Sequence, residues 1–121
     1  MFAGLDTRAS FAGRLTPKLL SDVGGTIFWN PFDRWAKVVL SGTGRTLVMP
    51  YIPKVGWTGL LYVRQDGTGS RTITTYPSYW SWMGGTAITL TLTANRMDIF
   101  SAVSDGFNVF VSASLNGVST A

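Results

Sequence analysis

The carboxylates of this sequence are the groups most able to do chemistry, and all six belong to aspartates. Two carboxylates that converge in one cleft can share acid and base roles, as in glycosidases and aspartic proteases. The candidates here are Asp66, Asp98 and Asp105. Asp66 and Asp105 each precede a glycine, however, which is typical of a tight hairpin turn. We therefore interpret these two segments as hairpin turns, with the turn residues Asp66, Gly67, Gly69, Asp105 and Gly106.

Histidine and cysteine are absent from the chain, and glutamate is absent as well. A Ser–His–Asp or Cys–His system needs an imidazole to accept the proton of the nucleophile. Catalytic and structural zinc sites are built from His, Cys or carboxylate ligands. The glycine-rich run from Asp66 to Arg71 lacks the lysine and the strand–loop–helix context of a phosphate-binding loop. We therefore predict a protein with no catalytic activity, no metal and no cofactor.

The length and composition are typical of one small folded domain. The 121 residues are 45% hydrophobic and only 13% charged, whereas an average domain is about 25% charged. A disordered chain would be poor in apolar residues and rich in charge. The low charge therefore predicts a folded protein whose surface is neutral or is covered by other subunits.

From residue 35 onward the sequence alternates as β-strands do, with glycine-containing turns between the strands. One pair of strands flanks the turn Ser41–Gly44, a second pair flanks the turn at Asp66, and a third flanks the turn at Asp105. The run ITLTLTA at residues 88–94 is the clearest strand, with its Ile and Leu side chains facing inward. This spacing predicts an all-β domain at residues 35–121, an antiparallel β-sandwich that is jelly-roll-like.

Residues 1–34 differ, because glycines and Pro17 interrupt a series of isolated apolar residues. We predict an extended N-terminal arm that docks on a neighbouring molecule, since a disordered tail has few large apolar residues. A frayed terminus is the alternative. The segment lacks a continuous apolar stretch, so we expect neither a signal peptide nor a membrane span. The predicted docking residues are Phe2, Leu5, Arg8, Phe11, Arg14, Leu15, Lys18 and Leu19.

The net charge of +4 lies entirely in the first half of the chain. Residues 1–54 carry seven basic and three acidic residues, while residues 55–121 carry three of each. The bases are spread singly, and so few charges would neutralise few phosphates. We therefore expect no nucleic acid as a partner, and an acidic protein surface as the partner of the N-terminal half.

Aromatic residues are concentrated in two segments, Thr26–Trp35 and Tyr76–Met83, which hold four of the five tryptophans. If the second segment is a strand, Trp80 and Trp82 share one face. Exposed aromatic faces mark interaction sites and can stack on sugar rings. Buried, the same rings would fill the core or a subunit interface, where Trp and Tyr are enriched. We predict that Tyr76, Tyr79, Trp80 and Trp82 fill the core or a subunit interface, with a glycan platform as the alternative.

An ordered series of motifs runs from Gly56 to Gly117. Its parts are a G-x-x-G pair at Gly56 and Gly59, the run QDGTGSRTIT at residues 65–74, a W-x-G-G turn at 82–85, the segment TLTLTANRMD at 89–98 and a closing D-G-F turn at 105–107. The series resembles a repeating design of tail-fibre, head-fibre and decoration proteins of tailed bacteriophages. The resemblance implies a β-sandwich virion protein, commonly a homotrimer, and leaves head and tail locations open.

Two functions follow as expectations from this resemblance and from the length. A chain with only about 35 residues outside its β domain suits a capsid decoration, or cement, protein on the particle surface, docked by its arm on the major capsid protein or another virion protein. Apolar anchors in such an arm would bury area worth about 25 cal/mol per Å². The alternative is a short tail or head fibre that binds a host-surface glycan through the aromatic patch. Both are non-enzymatic roles outside any membrane.

Overall fold

The computed structural model of the chain describes residues 16–119, in which every regular element is a β-strand. The all-β prediction is therefore confirmed for this part of the chain. No helix in the described range could span a membrane. The strands, in chain order, are β1 Lys18–Leu20, β2 Thr26–Phe28, β3 Trp35–Leu40, β4 Arg45–Val48, β5 Thr58–Gln65, β6 Ile73–Thr75, β7 Trp80–Trp82, β8 Arg96–Ser104 and β9 Val109–Ser119.

The strands form two sheets. The larger sheet has six strands in the order β1-β3-β5-β8-β9-β7, and the smaller sheet has three in the order β2-β4-β6. All pairs in the smaller sheet are parallel, and so are β1 with β3, β3 with β5, and β7 with β9. Only β5 with β8 and β8 with β9 are antiparallel. The predicted antiparallel arrangement is therefore wrong for most of the molecule.

The parallel pairing arises from three successive arches, β1–β2, β3–β4 and β5–β6. In each arch the chain leaves the larger sheet, turns, and enters the smaller sheet. The hairpins predicted around Ser41–Gly44 and Asp66–Gly69 are therefore wrong, although both turns exist. A glycine-rich turn reverses the chain equally well in a hairpin and in an arch, and the two differ only in whether the strands hydrogen-bond to each other or pack face to face.

The C-terminal hairpin is present as predicted. β8 and β9 pair through Ser104 and Val109, and the turn between them is at Asp105 and Gly106. The predicted strand at residues 88–94 is not found; its backbone is bound by the Asp98 and Gln65 side chains and by the Ser70 amide, which donates to the Leu92 carbonyl. Leu90 is buried, but Leu92 is 45% exposed, so the predicted inward face holds only in part.

Strands from both sides of the predicted boundary between residues 34 and 35 belong to the same two sheets. Residues 18–34 supply the edge strand β1 of the larger sheet and the edge strand β2 of the smaller sheet. They also supply Ile27 and Trp29, both fully buried in the core. The part of the predicted arm that precedes residue 16 lies outside the described residues.

One hydrophobic cluster contains the inward-facing side chains of both sheets. Alternation along β5 places Leu61 and Val63 in the core and Leu60 and Tyr62 on the opposite side, as the sequence pattern predicts. Gly59 is buried beneath the indoles of Trp57 and Trp29, and an added Cβ would overlap the Trp57 ring. The second glycine of the G-x-x-G pair therefore makes room for two core tryptophans.

Candidate functional site

Each of the three aspartates considered as catalytic candidates accepts hydrogen bonds from donors in the adjoining chain. The Asp66 carboxylate accepts hydrogen bonds from the amides of Thr68 and Gly69, both at 3.0 Å, and forms an ion pair with Arg71. The bond from Arg71 and these amides hold the pKa of Asp66 below its usual value. The Asp105 carboxylate accepts bonds from the amides of Asn108 and Phe107, which lower its pKa in the same way. Both residues stabilise turns; the Asp105 turn joins the hairpin of β8 and β9, whereas the Asp66 turn belongs to the β5–β6 arch.

Asp98 is buried and hydrogen-bonds to the segment at residues 88–94, which the sequence predicts as a strand. Its carboxylate accepts hydrogen bonds from the backbone amide of Thr91 at 2.7 Å and from the Thr91 hydroxyl at 2.8 Å. The carbonyl of Thr91 accepts a bond from the side-chain amide of Gln65. Two buried polar side chains thus satisfy the backbone that a neighbouring strand would otherwise pair. No group of three or more potential metal ligands occurs among residues 16–119.

The predicted aromatic platform is largely buried. Trp80 is 6% exposed and belongs to the core, so it offers no exposed ring face on which a sugar could stack. Tyr76 stacks on Trp80 with 5.7 Å between ring centroids, and Trp82 packs edge-on against both. Burial, and to a lesser degree the charge of Asp98, raises the pKa of the Tyr76 hydroxyl. Tyr79 is half-buried and donates a hydrogen bond to the Met49 carbonyl at 2.8 Å. These rings pack the interior.

Two of the predicted docking residues lie in the described range, and both belong to β1. Lys18 and Leu19 are exposed on this edge strand, and Leu19 aligns with Lys37 of β3. Their exposure is compatible with contact to another molecule. The remaining six, which lie outside the described residues, are Phe2, Leu5, Arg8, Phe11, Arg14 and Leu15.

Sequence reasoning missed two buried polar residues that join the sheets. Asp22 is 2% exposed and accepts bonds from the amide and the hydroxyl of Ser41 and from Arg45. Gln65 is equally buried, donates to the Arg71 and Thr91 carbonyls, and accepts from the Arg71 amide. Asp22 thus fixes the turn of the β1–β2 arch, and Gln65 fixes the turn of the β5–β6 arch. A signal for Gln65 was its inward position in the alternation of β5, where an amide must find partners.

The side of the larger sheet that faces away from the core, here called the outer face, is mostly apolar. Leu60 and Val103 are 39% and 44% exposed there, and they border a shallow cleft of about 540 Å³ that also contains Met83 and Phe110. On the described strands β3, β5, β8 and β9, the only charged side chains of the outer face are those of Lys37 and Arg64. The outer face comprises Leu19, Trp35, Lys37, Val39, Thr58, Leu60, Tyr62, Arg64, Met97, Ile99, Ser101, Val103, Phe110, Ser112 and Ser114.

A second open cleft, of about 520 Å³, lies where β3 and β5 begin. Phe32 and Tyr51 pack edge-on at 6.4 Å across it, and Arg34 and Lys54 also contribute to its wall. Phe32 is 78% exposed. We call this region the loop-end cleft. Its lining consists of Pro31, Phe32, Arg34, Tyr51, Pro53, Lys54, Val55, Gly56 and Trp57.

Comparisons of the chain with family models, with curated proteins and with solved structures gave no match.

Proposed function

We propose that this chain is a non-enzymatic structural protein of a bacteriophage virion, a small capsid decoration protein that stabilises the shell from the particle surface. In this proposal the two sheets form a β-sandwich body, and the segment before residue 16 is the arm that docks on the major capsid protein or another virion protein. The ordered motifs between Gly56 and Gly117, which resemble phage fibre and decoration proteins, support the assignment to virions.

The observation that carries the structural role is the apolar outer face. A sheet exposed to water on one side normally alternates apolar inward and polar outward residues. Here β5 has Leu61 and Val63 inward and Leu60 and Tyr62 outward, so both of its sides are apolar. Large exposed apolar patches mark contact surfaces between proteins. We propose that the outer face joins three copies of the chain in a homotrimer.

The described carboxylates support a non-enzymatic role. Asp66 and Asp105 stabilise turns, and Asp22 and Asp98 are buried against backbone and hydroxyl donors. A catalytic carboxylate must reach a substrate in a cleft, and none of these four lines either of the two clefts described above. Asp22 borders a third, shallower depression of about 320 Å³ beside β1, but its carboxylate is bound by Ser41 and Arg45.

The test uses particles assembled without this protein. We expect the full chain to bind such shells and to raise the temperature at which they open, and imaging of the decorated particle to locate it on the shell. Deletion of residues 1–15 leaves β1 intact and should abolish binding. The control replaces Arg8 and Arg14 by lysine, which keeps the charge and should preserve binding. Equal binding of the deleted and full chains, or density on the tail alone, would contradict the proposal.

A second candidate, a short fibre that binds a host-surface glycan, is favoured by one observation. The exposed rings needed for such binding are present at the loop-end cleft, in Phe32 and Tyr51, rather than at Tyr76 to Trp82.

A further inference from the structure

The loop that carries Phe32 is held rigidly by buried donors. The indole Nε1 of Trp57 donates to the Pro31 carbonyl at 2.7 Å, and the indole Nε1 of Trp29 donates to the Asp33 carbonyl at 2.7 Å. Within the turn, the amides of Phe32 and Asp33 donate to Asn30. Two core tryptophans thus fix a turn whose large apolar side chain points into solvent.

The opposite wall of the loop-end cleft is held equally firmly. The Ser104 hydroxyl, itself buried, donates to the Pro53 carbonyl at 2.6 Å, and the Gly56 amide donates to the Ser104 carbonyl. The Tyr79 hydroxyl donates to the Met49 carbonyl just before this loop. Two prolines in the lining restrict the backbone further. A cleft fixed in advance loses little conformational entropy when a ligand binds.

The charged residues that line the loop-end cleft are all basic. Its lining contains Arg34 and Lys54 and no carboxylate. Neither cation forms an ion pair with a residue of the described part of the chain. Elsewhere in that part, Arg45 and Arg71 are paired with Asp22 and Asp66. Two cations with no carboxylate partner among residues 16–119, beside two aromatic rings, form a surface that complements a ligand with ring faces and negative charge.

We infer that the loop-end cleft binds an anionic saccharide. Phe32 and Tyr51 stack on the apolar faces of the sugar rings, and Arg34 and Lys54 bind the carboxylate, phosphate or sulfate groups. The cleft volume lies within the range of about 300–1,000 Å³ found for small-ligand sites. The concave shape and the edge-on ring pair favour a saccharide over a flat lipid surface. The inference deepens the second candidate function and does not depend on where the protein sits in a particle.

The experiment titrates the isotope-labelled full chain with trigalacturonate and with a sulfated maltotriose, following the amide resonances. Unmodified maltotriose is the neutral control. We expect millimolar or tighter binding of at least one anionic sugar, with shifts confined to residues 30–34 and 50–57, and affinity about tenfold lower for the neutral sugar, as one lost charge-assisted bond would give. The two anionic sugars distinguish carboxylate from sulfate recognition. Added salt should weaken binding.

Three variants locate the site. Phe32→Ala and Lys54→Ala should each weaken binding about tenfold. Phe107→Ala is the matched control, because Phe107 is 79% exposed on a neighbouring turn but does not line the cleft. All three side chains are exposed, so the variants should keep the wild-type spectrum elsewhere.

Three results would overturn the inference: no shifts with either anionic sugar, shifts outside the cleft, or equal affinity for the neutral sugar. A fourth would be binding only to phosphatidylcholine vesicles containing phosphatidylglycerol, which would identify a lipid surface instead. Failure here leaves the decoration proposal standing, because that proposal depends on shell binding by the arm.

Discussion

Asp22 is a buried carboxylate whose donors come from the turn and strand that follow β3. Burial raises its pKa, but the bonds from the Ser41 hydroxyl and amide and from Arg45 outweigh burial, so its pKa lies below the usual value. A carboxyl group whose folded-state pKa is depressed stabilises the fold above its unfolded-state pKa of about 3.9. That stabilisation is lost as the pH falls through the lower, folded-state pKa.

We predict that Asp22→Asn lowers the free energy of unfolding at neutral pH by about 2–4 kcal/mol, because an amide cannot accept from all three donors. The gap between wild type and variant should narrow as the pH falls below about 4. Urea unfolding at several pH values measures both effects. Asp66→Asn is the control, since that carboxylate is partly exposed and its loss should matter less. A variant as stable as wild type at neutral pH would contradict the prediction.

Single residues of the turns could be predicted from sequence, but the candidate site could not. Asp66 and Asp105 were identified because Asp-Gly has a local conformational preference that needs no tertiary context. The burial of Trp80 and the exposure of Phe32 depend on how the connections between strands pack. Both segments are rich in aromatic residues, and composition alone does not distinguish them.

The arches are the elements where the structure differs most from what the sequence predicts. Alternation places Leu61 and Val63 on one face of β5, and both are buried, because burial on one face imposes a period of two. It could not predict the partner of a strand, since hydrogen bonding between strands leaves no pattern in one chain. The segment at residues 88–94 alternates as a strand does, yet Asp98 and Gln65 bind its backbone in place of a neighbouring strand.

We predict that a disulfide forms in the double variant Leu19→Cys/Lys37→Cys, because these residues are aligned on neighbouring parallel strands, about 5 Å apart. The double variant Val39→Cys/Thr46→Cys should remain reduced, although a hairpin at residues 41–44 would bring that pair together. The chain contains no cysteine, so mass spectrometry after mild oxidation reads the result directly. A disulfide in Val39→Cys/Thr46→Cys but not in Leu19→Cys/Lys37→Cys would show a hairpin.

At the scale of the whole molecule, the outer face is more apolar than is usual for a sheet face open to water. Its low charge agrees with the low charge of the sequence as a whole, which led us to expect coverage by other subunits. In the proposed trimer, Leu60 lies in the contact between copies, where a charged group would lose its hydration without gaining a partner.

We predict that Leu60→Lys converts the trimer to monomers at micromolar concentration while the far-ultraviolet circular dichroism stays that of a β protein. Multi-angle light scattering measures the mass. Leu92→Lys is the matched control, because Leu92 is 45% exposed and lies outside the outer face. A wild-type chain that is monomeric, or a Leu60→Lys variant that remains trimeric, would show that the outer face does not hold the copies together.

The order of the strands in the larger sheet has a consequence for folding during synthesis. The arches emerge first from the ribosome, but β5 takes its antiparallel neighbour from β8, which is made near the end of the chain. The hairpin of β8 and β9 closes a short loop and forms quickly, whereas the parallel pairs close longer loops and form slowly. Nascent chains therefore carry open strand edges until the hairpin arrives, and many copies made together would pair through those edges. Fast closure of the last hairpin would shorten the time for which those edges stay open.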